Sequence, residues 1–218
     1  MRAAAFFDLD GTLLTVNSAK LWVRYERRLG RLSVRQAARG AFLLARYRLG
    51  TLDMERVLRE VLGTVAGLEE EALRQETRAW WRTEVRPFVA PGARAVIDTH
   101  RKRGEPVVLL TSSSRYASEM AREEFGLDDI LYQAYEVRDG RFTGLPLSPI
   151  CYGPGKVDAA EAWARAHDVD VGQSSFYSDS STDIPMLSRV ARAFAVHPDP
   201  VLRWTARRRG WPTLDWRR

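Results

Sequence analysis

The chain has 218 residues, 45% of them hydrophobic, and its 34 basic against 28 acidic side chains leave a formal charge of +6. That length suits one domain, or one domain with an insert, around a sizeable core. The single cysteine, Cys151, excludes an internal disulfide and a thiolate metal cluster, and the longest candidate apolar stretch, Ala41 to Ala45 between Arg39 and Arg46, is far too short to span a bilayer.

At the N-terminus an apolar run, Ala3 to Phe7, reads as a short strand that empties into Asp8-Leu9-Asp10-Gly11-Thr12. Five apolar residues are too few for a secretory core, so a cytoplasmic address is expected. Positions i and i+2 of a strand share a face, so Asp8 and Asp10 converge. Two carboxylates so close repel unless a cation or a proton intervenes, and a metal is the natural remedy. Gly11 frees the backbone to turn sharply behind the acids, and Thr12 adds a hydroxyl. The plainer alternative is an Asx-type turn closing a buried strand.

From about Val16 to about Arg86 only helical spacing is found. Leu21, Trp22, Tyr25 and Leu29 share one face; Val34, Ala37, Ala38, Ala41, Phe42 and Ala45 share the next, behind a capping box from Ser33 to Gln36. Leu52, Val57, Leu58, Val61 and Leu62 predict a third helix, and Leu68, Ala72, Leu73, Ala79 and Trp80 a fourth. The reading is a helical cap over residues 16–86, inserted into an α/β core made of residues 1–15 and 87–218. Such a cap would exclude water and select substrate.

Beyond Pro91 helices and strands alternate, which predicts a doubly wound parallel sheet. The expected elements are a helix from Gly92 to Arg103, a strand from Val107 to Leu110 ending at Thr111, and a helix containing Ser118 to Phe125. A hairpin follows at Asp139-Gly140, between Tyr135-Glu136-Val137 and Arg141-Phe142-Thr143. Then come a helix from Val157 to Ala166, a strand at Phe176-Tyr177, a helix from Pro185 to Val190, and a last strand from Ala193 to Val196. Asp8, Thr111 and Asp179 all fall at the carboxyl ends of strands, where open α/β sheets bind ligands. His100, His167 and His197 are scattered and read as surface or loop residues; Cys151 reads as a small buried or loop residue.

Four stretches, in order, carry a resemblance. They are Phe7-Asp8-Leu9-Asp10-Gly11-Thr12-Leu13-Leu14, Val107-Val108-Leu109-Leu110-Thr111, Lys156 in Cys151-Tyr152-Gly153-Pro154-Gly155-Lys156, and Asp179-Ser180-Ser181-Thr182-Asp183 after the strand Ser175-Phe176-Tyr177-Ser178. Together they resemble the four motifs of the haloacid dehalogenase superfamily. Tyr177 to Leu187, Ala195-Val196-His197-Pro198-Asp199-Pro200 and Arg209-Gly210-Trp211-Pro212 resemble its phosphoserine-phosphatase-like branch, subfamily IB. The chain departs from true phosphoserine phosphatases at Thr111-Ser112-Ser113-Ser114, where those enzymes carry a serine followed by glycines, and at Ser178-Asp179, where they carry glycine and aspartate.

The resemblance implies a Rossmann-like fold and a Mg²⁺-dependent phosphomonoester phosphatase. Asp8 would attack phosphorus to form an aspartyl phosphate, and Asp10 would protonate the leaving alkoxide and then deprotonate water. The implied Mg²⁺ ligands are the Asp8 carboxylate, the Asp10 main-chain carbonyl and the Asp179 carboxylate. Lys156 would hold a phosphoryl oxygen and neutralise Asp8, Thr111 and Ser112 would bind the remaining oxygens, and Asp183 would orient Lys156 or a metal-bound water. Asn17 and Ser18 are candidates to touch the leaving group, with a helix cap at Ser18 as the alternative.

The substrate class stays open: a small phosphorylated metabolite such as phosphoserine or histidinol phosphate, or a lipid phosphate such as phosphatidylglycerophosphate. A non-catalytic phosphate-binding regulator is the alternative from another class. Arginine supplies 31 of the 34 cations, so Lys156 is one of only three lysines. Arginines crowd the insert and the tail, with Trp204, Trp211 and Trp216 interleaved. A solvated surface is the first reading and an anionic lipid surface the second; no nucleic-acid module accompanies the charge. Oligomeric state is not legible.

Overall fold

The computed structural model describes residues 1–48 and 54–217. A six-stranded sheet, ordered β3-β2-β1-β6-β7-β8 and parallel throughout, forms its centre. The strands are β1 (Ala5–Phe7), β2 (Val107–Ser114), β3 (Asp129–Gln133), β6 (Ser175–Ser178), β7 (Arg192–Val196) and β8 (Thr213–Leu214). A separate antiparallel pair, β4 (Tyr135–Arg138) and β5 (Arg141–Pro146), is the expected hairpin. Its turn residues Asp139 and Gly140 sit at φ 50° and 72°, the left-handed values that a two-residue turn needs.

Alternation along the central strands builds two apolar layers. Ala5, Phe7, Val107, Leu109, Tyr177 and Val196 face one side, against Trp80, Trp81, Val85, Ile97, Met120 and Trp216. Ala4, Phe6, Val108, Leu110, Phe176 and Ala195 face the other, against Ala160, Trp163, Met186, Leu187, Leu202 and Ala206. Phe6, Phe7 and Phe176 are wholly buried, each contributing about 1.5–3 kcal/mol from the water it sheds. Asp8 and Asp179 follow the neighbouring parallel strands β1 and β6, so both emerge at the carboxyl ends of the central strands.

Among the described residues, four α-helices follow β1 before residue 86: α1 (Ser18–Arg28), α2 (Val34–Arg48), α3 (Met54–Leu62) and α4 (Glu70–Trp80). The capping box forms, with Gln36 N–H donating to Ser33 Oγ and Ser33 N–H to Gln36 Oε1. The predicted faces hold only in part. Leu21, Trp22, Tyr25, Val57, Leu62 and Trp80 pack inward, whereas Leu29, Val34, Phe42, Val61 and Leu68 are exposed. Leu52 and the side chains of Ala37, Ala41 and Ala45 lie outside the described residues. The hairpin braces this segment: Glu70 N–H donates to Gly140 O at 2.8 Å, Gly67 N–H to Phe142 O at 2.8 Å, and Phe142 N–H to Leu68 O at 3.0 Å.

The remaining helices are α5 (Ala93–Lys102), α6 (Arg115–Phe125), α7 (Pro154–Ala166), α8 (Ile184–Arg189) and α9 (Pro200–Arg209). The structure corrects the sequence reading at Thr111 and at His100. Thr111 does not end its strand: β2 continues to Ser114 across a break in register with β3 between Leu110 and Ser114, as a bulge allows. His100 is a core residue, 3% exposed. Its Nε2 lies 2.8 Å from the Tyr177 hydroxyl, and its Nδ1 meets the Glu105 carboxylate.

Candidate active site

Order reversal in the chain makes the site. After β1 the sequence goes to β2 on one side and later to β6 on the other, leaving a crevice at their carboxyl ends. Beyond β1 the chain turns at once through residues Leu9–Leu13. Gly11 is the reason it can, with φ +73° and Asp179 so near that a Cβ would lie 2.2 Å from Asp179 Oδ2. Any side chain there would enter the space between the two acidic loops.

Lys156, on the first turn of α7, is the hub. Its Nζ donates to Asp8 Oδ1 at 2.8 Å and to Asp183 Oδ2 at 2.7 Å, and all three residues are buried. Burial disfavours the ammonium, but the two carboxylates outweigh it and raise the Lys156 pKa. Asp183 also accepts the Ser178 hydroxyl at 2.7 Å.

The acids are crowded. Burial first, then the charge of Asp183 against the relief given by Lys156, pushes Asp8 up to about 7. Burial, then Asp8 and Asp183, pushes Asp179 up to about 8. A cation between them would oppose both shifts by favouring the ionised carboxylates. Burial also raises the Asp10 carboxyl, against hydrogen bonds from Ser18 and Ser113. Among the described residues no three acidic, histidine or cysteine side chains form a ready metal cage. The expected set needs only two, from Asp8 and Asp179, with the Asp10 carbonyl as the third oxygen. The Asp10 carboxylate is engaged elsewhere, accepting Ser18 N–H at 2.8 Å. An all-oxygen set with one buried carboxylate, Asp8, and one half-buried, Asp179, suits a hard divalent ion such as Mg²⁺.

The expected residues separate into those brought together and those not. Asp8, Asp10, Lys156, Asp179 and Asp183 converge. Thr111 is buried, its hydroxyl accepting Ser113 N–H at 3.2 Å, while Ser112 is exposed beside it. Asn17 is spent as the cap of α1, its side chain accepting Lys20 N–H at 3.0 Å. Ser18 is not that cap; it is 4% exposed and bound to Asp10. Sequence reasoning missed Ser113, Ser178, His197 and Asp199, which all touch the acidic loops. Only Asp199 had a local signal, an aspartate ahead of a proline at a helix start.

The fold and this constellation define a hydrolase class, and a family model agrees: residues 5–188 match the haloacid dehalogenase-like hydrolases. The chain belongs to that family. It is 28% identical to a histidinol-phosphatase of Neisseria meningitidis over 222 residues, all of both chains. It is 29% identical to a phosphoserine phosphatase of Mycobacterium tuberculosis over 221 residues, all of this chain and 72% of the other. A solved structure of a protein of unknown function from Bordetella pertussis superposes with a TM-score of 0.90 at 31% identity, covering 99% of each chain. Among the described residues no helix is long and apolar enough to cross a membrane.

Proposed function

We propose that this hydrolase is a Mg²⁺-dependent phosphomonoester phosphatase acting through an aspartyl phosphate on Asp8. The observation that carries the reading is the buried Lys156 held between Asp8 and Asp183. A fixed, buried cation beside an aspartate at a strand end serves an incoming dianion better than it serves stability, because buried ion pairs stabilise little.

Asp8 would supply the carboxylate oxygen that bonds to phosphorus as the ester oxygen leaves. Asp10, raised by burial and steered by Ser18, would give that oxygen its proton and then take one from water as the water opens the acyl phosphate. Inorganic phosphate leaves and Asp8 is restored. Lys156, the Thr111 hydroxyl and the backbone after it would hold the phosphoryl oxygens. A Mg²⁺ ion held by Asp8, Asp179 and the Asp10 carbonyl would neutralise phosphoryl charge during both transfers. Residues 16–86 would act as the cap, and residues 1–15 with 87–218 as the catalytic core.

The full-length likeness to a histidinol-phosphatase and the likeness to a phosphoserine phosphatase favour a small phosphorylated metabolite as substrate. The intact set of acids and Lys156 disfavours a non-catalytic regulator. A phosphomonoester panel assayed with Mg²⁺, with EDTA and with Asp8→Asn as controls, tests the reading.

One observation favours the lipid-phosphate alternative. Arg203, Arg207, Arg208 and Arg209 lie exposed on α9, and none of them has a carboxylate partner among the described residues. Many arginines elsewhere do, as in Arg28–Glu84 and Arg39–Glu60. Val201 and Trp204 on the same helix are each 58% exposed, with the Arg208 guanidinium 4.7 Å over the Trp204 ring. Cations beside an exposed indole suit an anionic membrane surface.

A further inference from the structure

The turn between β7 and α9 reaches both loops that carry the acids. His197 Nδ1 lies 3.2 Å from Gly11 O. Asp199 N–H donates to Asp179 O at 2.9 Å, and Asp199 Oδ2 accepts Ser181 N–H at 2.6 Å. Two residues two positions apart thus grip loops whose held residues, Gly11 and Asp179, are 168 positions apart in sequence. The grip comes at a backbone cost, because His197 sits at φ +45°, a region that side-chain-bearing residues rarely enter.

The proton on His197 can be assigned. Gly11 O can only accept, so Nδ1 must carry hydrogen. Trp216 N–H donates to Nε2 at 2.6 Å, which makes Nε2 the acceptor in the neutral ring. Asp215 Oδ1 also stands 3.0 Å from Nε2.

Gly11 is therefore held at both ends, its N–H by Val16 O at 3.1 Å and its carbonyl by His197. Fixing both groups fixes the turn that decides where the Asp10 carbonyl points. Asp199 holds the other loop twice, its backbone N–H on Asp179 O and its Oδ2 on Ser181 N–H, while Oδ1 caps α9 through Leu202 N–H at 2.8 Å. Neither side chain hydrogen-bonds Asp8 or Lys156 among the described residues, so both act through other groups.

We infer that His197 and Asp199 are positioning residues that clamp the loops of Asp10 and Asp179 at the spacing a divalent cation requires. The inference rests on the Mg²⁺ reading above. Partners of this kind orient metal ligands, and their loss typically weakens binding about 10–100-fold.

Magnesium titration calorimetry on the whole chain, beside thermal melts, tests it. His197→Asn keeps an N–H at the Nδ1 position and tolerates the positive φ, but loses the acceptor for Trp216. His197→Ala loses both. Mg²⁺ affinity should fall about 10-fold in His197→Ala and stay near wild type in His197→Asn, although both lose thermal stability. Asp199→Asn can keep the Leu202 cap while turning an NH₂ toward Ser181, so its affinity should fall with little change in melting. Affinity that tracks melting temperature across the three variants, or does not change, overturns the clamp. A wild-type chain that binds no Mg²⁺ overturns the underlying metal reading instead.

Discussion

Ser18 N–H donates to Asp10 Oδ1 at 2.8 Å, so the first residue of the first inserted helix grips the acid proposed to move the proton. The first helix after β1 thus touches the acid directly. Motion of α1 relative to the sheet would change both the orientation of Asp10 and the polarity around it.

Asp10→Asn should therefore depress turnover most for esters with poor leaving groups, which need a proton, and least for an activated aryl phosphate. Comparing the two substrates in one variant checks this. Equal losses would give Asp10 another role.

Lys156→Met removes the cation between two buried carboxylates. Stability should fall by about 3–5 kcal/mol, the usual effect of orphaning one side of a buried pair, and turnover should collapse with it. Lys156→Met with Asp183→Asn should recover part of the stability but not the turnover. Denaturant melts and initial rates separate the two effects.

Acid should destabilise the fold before it touches most surface pairs. Burial lowers the His100 pKa below its ordinary 6.5 despite the Glu105 carboxylate, and hydrogen bonds from His100 and Arg192 lower Glu105 below 4.5 against its burial. In both cases the unfolded chain binds more protons, so stability rises with pH. The His100 contribution is complete above about pH 6.5 and fades as pH falls through the lowered value; the Glu105 contribution fades further down, below 4.5. His100→Gln should flatten the upper part of that decline in melts taken between pH 7 and 5.

If α9 seats the enzyme on anionic lipid, activity on a lipid phosphate in anionic vesicles should fall steeply with salt, since screening shortens to about 3 Å at 1 M. Activity on a soluble ester should hardly change. Parallel salt curves would leave a soluble metabolite as the substrate.

The parallel sheet and the carboxyl-end positions of Asp8 and Asp179 were readable because each acid follows a short apolar run that reads as a buried strand, and Lys156 because Pro154 and Gly155 mark a helix start before it. What could not be read depends on partners distant in the chain. The strand β3, Asp-Ile-Leu-Tyr-Gln, has weak alternation and is held by pairing with β2; β8 is two residues long and exists through β7. His100 is buried because Tyr177, 77 positions away, meets its ring. The cap falls on Asn17 and not on Ser18 because two adjacent polar residues can each start a helix, and Ser18 N–H is taken by Asp10.

The central claim is a covalent phosphoryl group on Asp8, and acid-quench mass spectrometry of the enzyme during turnover addresses it directly. A phosphoryl adduct should map to the peptide containing Asp8 in the wild type and be absent in Asp8→Asn, whose turnover should be at least about 10³-fold lower. Wild-type turnover on a good substrate with no adduct at Asp8, or Asp8→Asn turning over at a comparable rate, would contradict the account.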